Sequence, residues 1–163
     1  MSLAEIRTAG YLALPQMRAR VGECLGTSRW FTVDQSMIDR FADLTGDRQY
    51  IHIDPVRAAA SPFGGTVAHG FLTISMLAAM SYDAIPLPEG TETSVNYGFD
   101  RLRMVSPVRA GSRVRGHFTL AGIDDIRPGE LGFSWDATVE IEGQDKPALV
   151  ARWLHRFYLK DVT

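Results

Sequence analysis

From His69 to Tyr82 the chain carries Phe71, Leu72, Ile74, Met76, Leu77, Ala78, Ala79 and Met80. At about 100° per residue these positions cover nearly every face of a helix. A helix that is apolar all round has to be surrounded by other structure. A bilayer cannot supply the surroundings, because the run Phe71 to Met80 is well short of the roughly 20 residues a membrane span needs. The rest of the chain must therefore wrap this segment.

The C-terminal half of the chain is suited to wrapping. After Pro86 and Pro88 the apolar pattern changes to period two. Leu131, Phe133, Trp135, Ala137, Val139 and Ile141 alternate with mostly polar neighbours, and Val114, Phe118 and Leu120 keep the same parity within 112–120. Such alternation marks a half-buried strand. Ser94 to Met104 and residues 148–159 are two further strand candidates, and Asp124-Asp125 reads as an acidic turn. Helices early and four long strands late imply an α+β domain, an antiparallel sheet wrapped around one central helix. The edges of such a sheet are open, so pairing with a second copy as a homodimer is expected.

Upstream, Arg29 to Val33 reads as a short strand. Asp34 or Ser36 can cap the next helix, and Ile38, Phe41 and Ala42 give that helix one apolar face. Gly46 supplies the left-handed residue that commonly ends a helix. Leu3, Ile6, Tyr11, Leu14, Met17 and Val21 make a looser helical pattern broken by Gly10 and Pro15. The expected organisation is an N-terminal helical lead-in over 1–27 and a single domain over 28–163.

The totals exclude several classes. With 163 residues and 45% apolar content, one domain can bury a core without a disulfide or a structural metal. A formal charge of −2 argues against a nucleic-acid partner, which requires a basic footprint. Cys24 is the single cysteine, which fits a reducing compartment. The first 17 residues carry Glu5 and Arg7 and lack a long apolar core, so no signal peptide is expected and the location is read as cytoplasmic.

Two short polar segments bracket the buried helix. Asp47 and His52 lie five residues apart just beyond Gly46, and His69-Gly70 opens the apolar run seventeen residues later. Five is the wrong spacing for one face of a helix, so a turn must bring Asp47 and His52 together. A histidine beside a carboxylate can act as general base on water. The plainer reading makes Asp47 a turn cap and His52 a surface residue. At His69-Gly70, free amides at a helix start suit a developing oxyanion, and glycine allows close approach of a carbonyl. The plainer reading there is a flexible helix start with His69 hydrogen-bonded in the core. His52, His69, Asp47 and Asp54 could in principle hold zinc, but no recognised ligand spacing is present, and no metal is expected.

Taken together, the two segments resemble the MaoC-like dehydratase family of the hot dog fold, which includes the (R)-specific enoyl-CoA hydratases. The family pattern is Asp, a variable residue, Asn-Pro, an apolar residue and His, then Asp, and later Phe-Gly and an Ala-His-Gly step into the central helix. Asp47, Ile51, His52, Asp54, Phe63, Gly64, Ala68, His69 and Gly70 match it, and Gln49-Tyr50 stands in place of Asn-Pro. That replacement, with Asn96-Tyr97-Gly98-Phe99-Asp100-Arg101 downstream, resembles the nodulation protein N-like branch. The resemblance spans roughly residues 28–159.

It implies a hydratase/dehydratase that interconverts trans-2-enoyl-CoA and (3R)-3-hydroxyacyl-CoA. Asp47 and His52 would carry the acid–base work, the Gly70 amide would polarise the thioester carbonyl, and His69 and Asn96 would help bind substrate. No cofactor is implied, the CoA thioester being the substrate. The alternatives are an acyl-CoA thioesterase and a non-catalytic acyl-thioester binding module.

Overall fold

Residues 9–160 are described by the computed structural model. Leu3 and Ile6 of the lead-in pattern lie outside the described residues. The chain runs through β1 (Tyr11–Leu12), α1 (Leu14–Ala19), β2 (Cys24–Thr27), β3 (Phe31–Val33), α2 (Gln35–Thr45), α3 (Tyr50–Ile53), α4 (Pro55–Ala59) and α5 (Gly70–Ala84). It continues as β4 (Leu87–Pro88), β5 (Thr91–Met104), β6 (Ser112–Arg127), β7 (Glu130–Ile141) and β8 (Leu149–Leu159).

The apolar segment is the helix α5, and the late period-two segments form a sheet in the order β2-β6-β7-β8-β5. Every pairing in that sheet is antiparallel, and β3 also pairs with β6, beside β2 along the same strand. The inward-facing positions are those the alternation marks. Phe118, Leu120, Phe133, Trp135, Val139, Leu149, Trp153 and Phe157 form one buried cluster with Leu72, Met76, Leu77 and Met80 of α5. This is the hot dog architecture: an antiparallel sheet curled around a central helix.

Four local features differ from expectation. Residues 24–27, read as the end of a helical lead-in, form β2 and pair with β6, so the described part of the lead-in is helical only over Leu14–Ala19. Met17 of α1 is fully buried in the core. Asp124-Asp125 is not a turn but lies within β6, which continues to Arg127 and turns at Gly129, whose φ is 76°. The stretch beyond Gly46 holds two short helices, α3 and α4, where an open loop is the simpler reading. Finally, α5 is not covered on every face. Phe71 is 72% exposed, and Ser75 and Ala79 are exposed with it at four-residue spacing.

β5 is an outer strand of the sheet and runs alongside α5. Met104 reaches the start of the helix at Gly70, while Ser94 to Asn96 lie beside Ala78, Ser81 and Tyr82 near its end. No helix among the described residues is long and apolar enough to cross a membrane.

Candidate active site

The helix α2 delivers the first group. Asp34 caps it, its carboxylate accepting from the Met37 amide at 2.8 Å, and Ile38 and Ala42 anchor it to the core. Gly46 ends it at φ 77°, its amide bonding back to the Ala42 carbonyl. Such a conformation is cheap only for glycine. Asp47 emerges directly after this stop and is exposed.

His52 comes next, on the single helical turn α3, and, contrary to the plainer reading, is buried, with 7% of its surface exposed. Its Nδ1 lies 2.6 Å from the Val67 carbonyl. A carbonyl only accepts, so Nδ1 carries the proton and Nε2 keeps its lone pair in the neutral ring. The main chain of His52 is held as well. Gln35 donates from Nε2 to the His52 carbonyl at 2.7 Å, and its Oε1 accepts from the Thr66 hydroxyl at 2.5 Å. Nothing in the sequence marks Gln35, an unremarkable first-turn residue, as a support for the site.

The segment Thr66–His69 leads into α5 and lies against residues 47–52. The Val67 amide donates to the Ile51 carbonyl at 3.0 Å, and the Val67 carbonyl takes the His52 proton. His69 is 3% exposed, and its Nε2 lies 2.9 Å from the main-chain carbonyl of Asp47. Its ring stacks on that of His52, with centroids 3.8 Å apart and planes at 25°, and Phe41 closes the surroundings at 5.1 Å. Side-chain donor atoms of Asp47, His52 and His69 all lie within 4.8 Å of one another.

That distance alone would admit a cation. The donors are arranged otherwise. His52 Nδ1 and His69 Nε2 are committed to carbonyls, and the free nitrogens lie in two stacked planes only 25° apart, whereas a tetrahedral ion needs lone pairs that converge from well-separated directions.

Gly70 is the first residue of α5, immediately after His69. The first four amides of a helix have no acceptor within it and carry the positive end of the helix dipole. A side chain at Gly70 would collide with Met104, whose Sδ lies 2.0 Å from the position a Cβ would take. Any side chain here would have to displace Met104 of β5, a constraint that no local pattern shows. Met104, Gly70 and Thr73 line a cavity of about 250 Å³ with Val108 and Ala148.

Asp47, His52, His69 and Gly70 are therefore brought together. Asn96 is not. It pairs with His155 across β5 and β8 and lines a separate small cavity with Ala78, Ser81 and Tyr82. Eight residues of helix, about 12 Å at 1.5 Å per residue, separate Gly70 from Ala78.

A hot dog domain with a carboxylate and an imidazole poised at the start of its central helix defines a class, and comparison with known proteins gives the family. A family model described as "MaoC like domain" matches residues 16–134, and the chain belongs to that family of dehydratases and hydratases. Nodulation protein N of Rhizobium meliloti is 50% identical over 144 residues, 88% of this chain and 89% of the relative. The 3-hydroxyacyl-thioester dehydratase Z of Mycobacterium tuberculosis is 41% identical over 145 residues, 89% and 95% of the two chains. Among solved structures, the MaoC-like dehydratase from Rhodospirillum rubrum superposes with a TM-score of 0.75 at 21% identity, covering 93% of this chain and 99% of that one. The (R)-hydratase from A. caviae gives 0.68 at 19% identity, covering 82% and 95%.

Proposed function

We propose that this protein is an (R)-specific enoyl-CoA hydratase, adding water across the double bond of a trans-2-enoyl thioester and, in reverse, dehydrating the (3R)-3-hydroxyacyl thioester. The observation that carries the reading is the convergence of Asp47 and His52, with donor atoms within 4.8 Å, beside the start of the central helix. The relative named as a 3-hydroxyacyl-thioester dehydratase supports the same reaction class.

In this reading His52 is the base. Its Nδ1 proton is held by Val67, so Nε2 takes a proton from water as the water oxygen bonds to C3. The C2=C3 electron pair moves toward the thioester, placing negative charge on its oxygen. The Gly70 amide, at the positive end of α5, stabilises that charge. The proton taken up by the pair then passes to C2 by way of Asp47, which also orients the water. Water is consumed and no electron leaves the system, so the step balances without a redox partner, and neither a cofactor nor a metal enters it.

The exposed stripe Phe71, Ser75 and Ala79 and the exposed Val95, Tyr97 and Phe99 on the outer strand β5 support a homodimer as the working form. The lone exposed cysteine fits a cytoplasmic location.

Incubation with crotonyl-CoA tests the reaction. Loss of the enoyl absorbance without release of free thiol is expected, and thiol release with no hydration would identify a thioesterase instead. Asp47→Asn and His52→Ala should each lower the hydration rate by about 10²–10⁴-fold, the usual contribution of a positioned acid or base. Both chains should keep the wild-type circular dichroism spectrum. Normal turnover by either variant would exclude that residue from the chemistry, and a wild type that binds acyl-CoA without turnover would make the protein a binding module.

A further inference from the structure

Four parts of the site come from four different stretches of chain: Phe41 from α2, Asp47 from the loop after it, His52 from α3 and Gly70 from α5. One side chain touches or adjoins all of them. His69 bonds to the main-chain carbonyl of Asp47, stacks on His52, packs near Phe41 and directly precedes Gly70 in the chain.

We infer that His69 is a positioning residue that locks the Asp47 loop and the His52 ring to the start of the central helix, and that it does not bind substrate. The inference rests on the hydratase reading for the identity of the groups being positioned. It departs from the expectation that His69 helps bind substrate. Only 3% of the residue is exposed, one ring face is taken by His52, and the Nε2 proton is given to the Asp47 carbonyl. Since that carbonyl can only accept, the neutral ring carries its proton on Nε2 and leaves Nδ1 as a lone pair, which has no hydrogen-bond partner among the described residues.

The arrangement also explains why an exposed loop can carry an acid–base group with the accuracy that catalysis needs. Asp47 has few supports of its own: its amide reaches the Thr45 hydroxyl at 3.5 Å and its carboxylate the Gln49 amide at 3.4 Å, both at the limit of a hydrogen bond. The His69 contact at 2.9 Å is the firmer tie. A misplacement of about 1 Å at a reacting group can cost roughly 10²-fold in rate.

Two substitutions separate the ring from its proton. His69→Phe keeps a flat ring between Phe41 and His52 but removes the donor. His69→Gln keeps a donor at about the reach of Nε2 but removes the stack. With enoyl-CoA as substrate, H69F should lose roughly 100-fold in kcat while KM changes by less than about 3-fold. H69Q should recover kcat to within about 10-fold of wild type. A loss confined to KM would make His69 a substrate-binding residue and overturn the proposal, as would wild-type kcat in H69F.

A measurement on the unmodified protein stands even where a variant does not fold. In ¹⁵N-histidine NMR of the wild type at neutral pH, His69 should appear as the Nε2–H tautomer with slow proton exchange, and an Nδ1–H tautomer would overturn the proposal. If the wild type hydrates no enoyl thioester, the functional reading fails by itself, and the tautomer still decides whether His69 holds the Asp47 loop.

Discussion

Gly70→Ala is the substitution whose outcome the structure specifies most closely. The added methyl would sit 2.0 Å from Met104 Sδ, 2.7 Å from its Cε and 3.4 Å from its Cγ. Non-bonded heavy atoms prefer about 3.5–4.0 Å, so the sulfur must withdraw by roughly 1.5 Å or more. Met104 is 49% exposed, which gives it solvent to retreat into, so the cost lies at the low end of overpacking penalties, about 1–2 kcal/mol. Removing the obstacle should remove the cost. In a Met104→Ala background the three nearest contacts of that methyl are gone, and alanine is the better helix former, so G70A should cost less than about 0.5 kcal/mol or be slightly stabilising. Urea unfolding of the four chains, tracked by fluorescence of the buried Trp135 and Trp153, gives the coupling as a double-mutant cycle. An equal cost in both backgrounds would refute the claim that Met104 is what disfavours a side chain at the helix start.

Charge and surface set two further outcomes. Glu140 accepts a hydrogen bond from Arg115 at 2.7 Å, and chiefly for that reason its carboxyl is held below its ordinary value of 4.5. A depressed folded-state pKa means that the stability it contributes is complete above about pH 4.5 and is lost as pH falls through the lower folded value. Relative to Glu140→Gln, the wild type should therefore be more stable at pH 7 and lose that lead in acid. A difference between the two chains that is constant from pH 7 to pH 3 in urea melts would contradict it. For the proposed dimer, light scattering should give twice the 18.0 kDa chain mass. Val95→Lys with Phe99→Lys on the exposed strand should shift it toward one chain mass, and a monomeric mass in the wild type would reject the pairing.

The fold was legible wherever a period had room to show. Fifteen residues of α5 and the twelve of β7 carry several repeats each, and both appear where the pattern puts them. The cap at Asp34 and the stop at Gly46 are local chemistry, fixed by a side-chain oxygen and by a positive φ. What escaped notice was short or supported from far away. α3 is a single turn, too brief for any period. β2 contains Gly26, which weakens any strand signal, and that glycine is there because the Ala84 carbonyl would lie 2.0 Å from its Cβ. Asp124-Asp125 has turn-like composition, but its partners across β7 and the Arg18–Asp125 pair at 2.7 Å hold it extended.

The same division explains the site. Residue chemistry marks Asp47, His52 and Gly70 as candidates but leaves their plainer readings open, and the family pattern they match is what singles them out. Their convergence depends on contacts spanning more than a dozen residues: His52 to Val67, Gln35 to Thr66, and His69 to Asp47 across twenty-two positions. Both polar segments are thus held as one structure, because the extended stretch 66–69 acts as the template on which the loop 47–52 is laid. Gln49-Tyr50, the residues that depart from the commoner family pattern, lie between Asp47 and His52 on that loop. Gln49 is exposed and Tyr50 is covered by the Arg57 guanidinium at 4.0 Å. Both also tie the loop together: the Gln49 amide reaches the Asp47 carboxylate at 3.4 Å, and the Gln49 and Tyr50 carbonyls accept from the His52 and Asp54 amides at 2.9 and 3.0 Å. These contacts use the amide of residue 49 and the carbonyls of 49 and 50, main-chain groups that Asn-Pro would also supply, so Gln-Tyr can stand in its place without removing them.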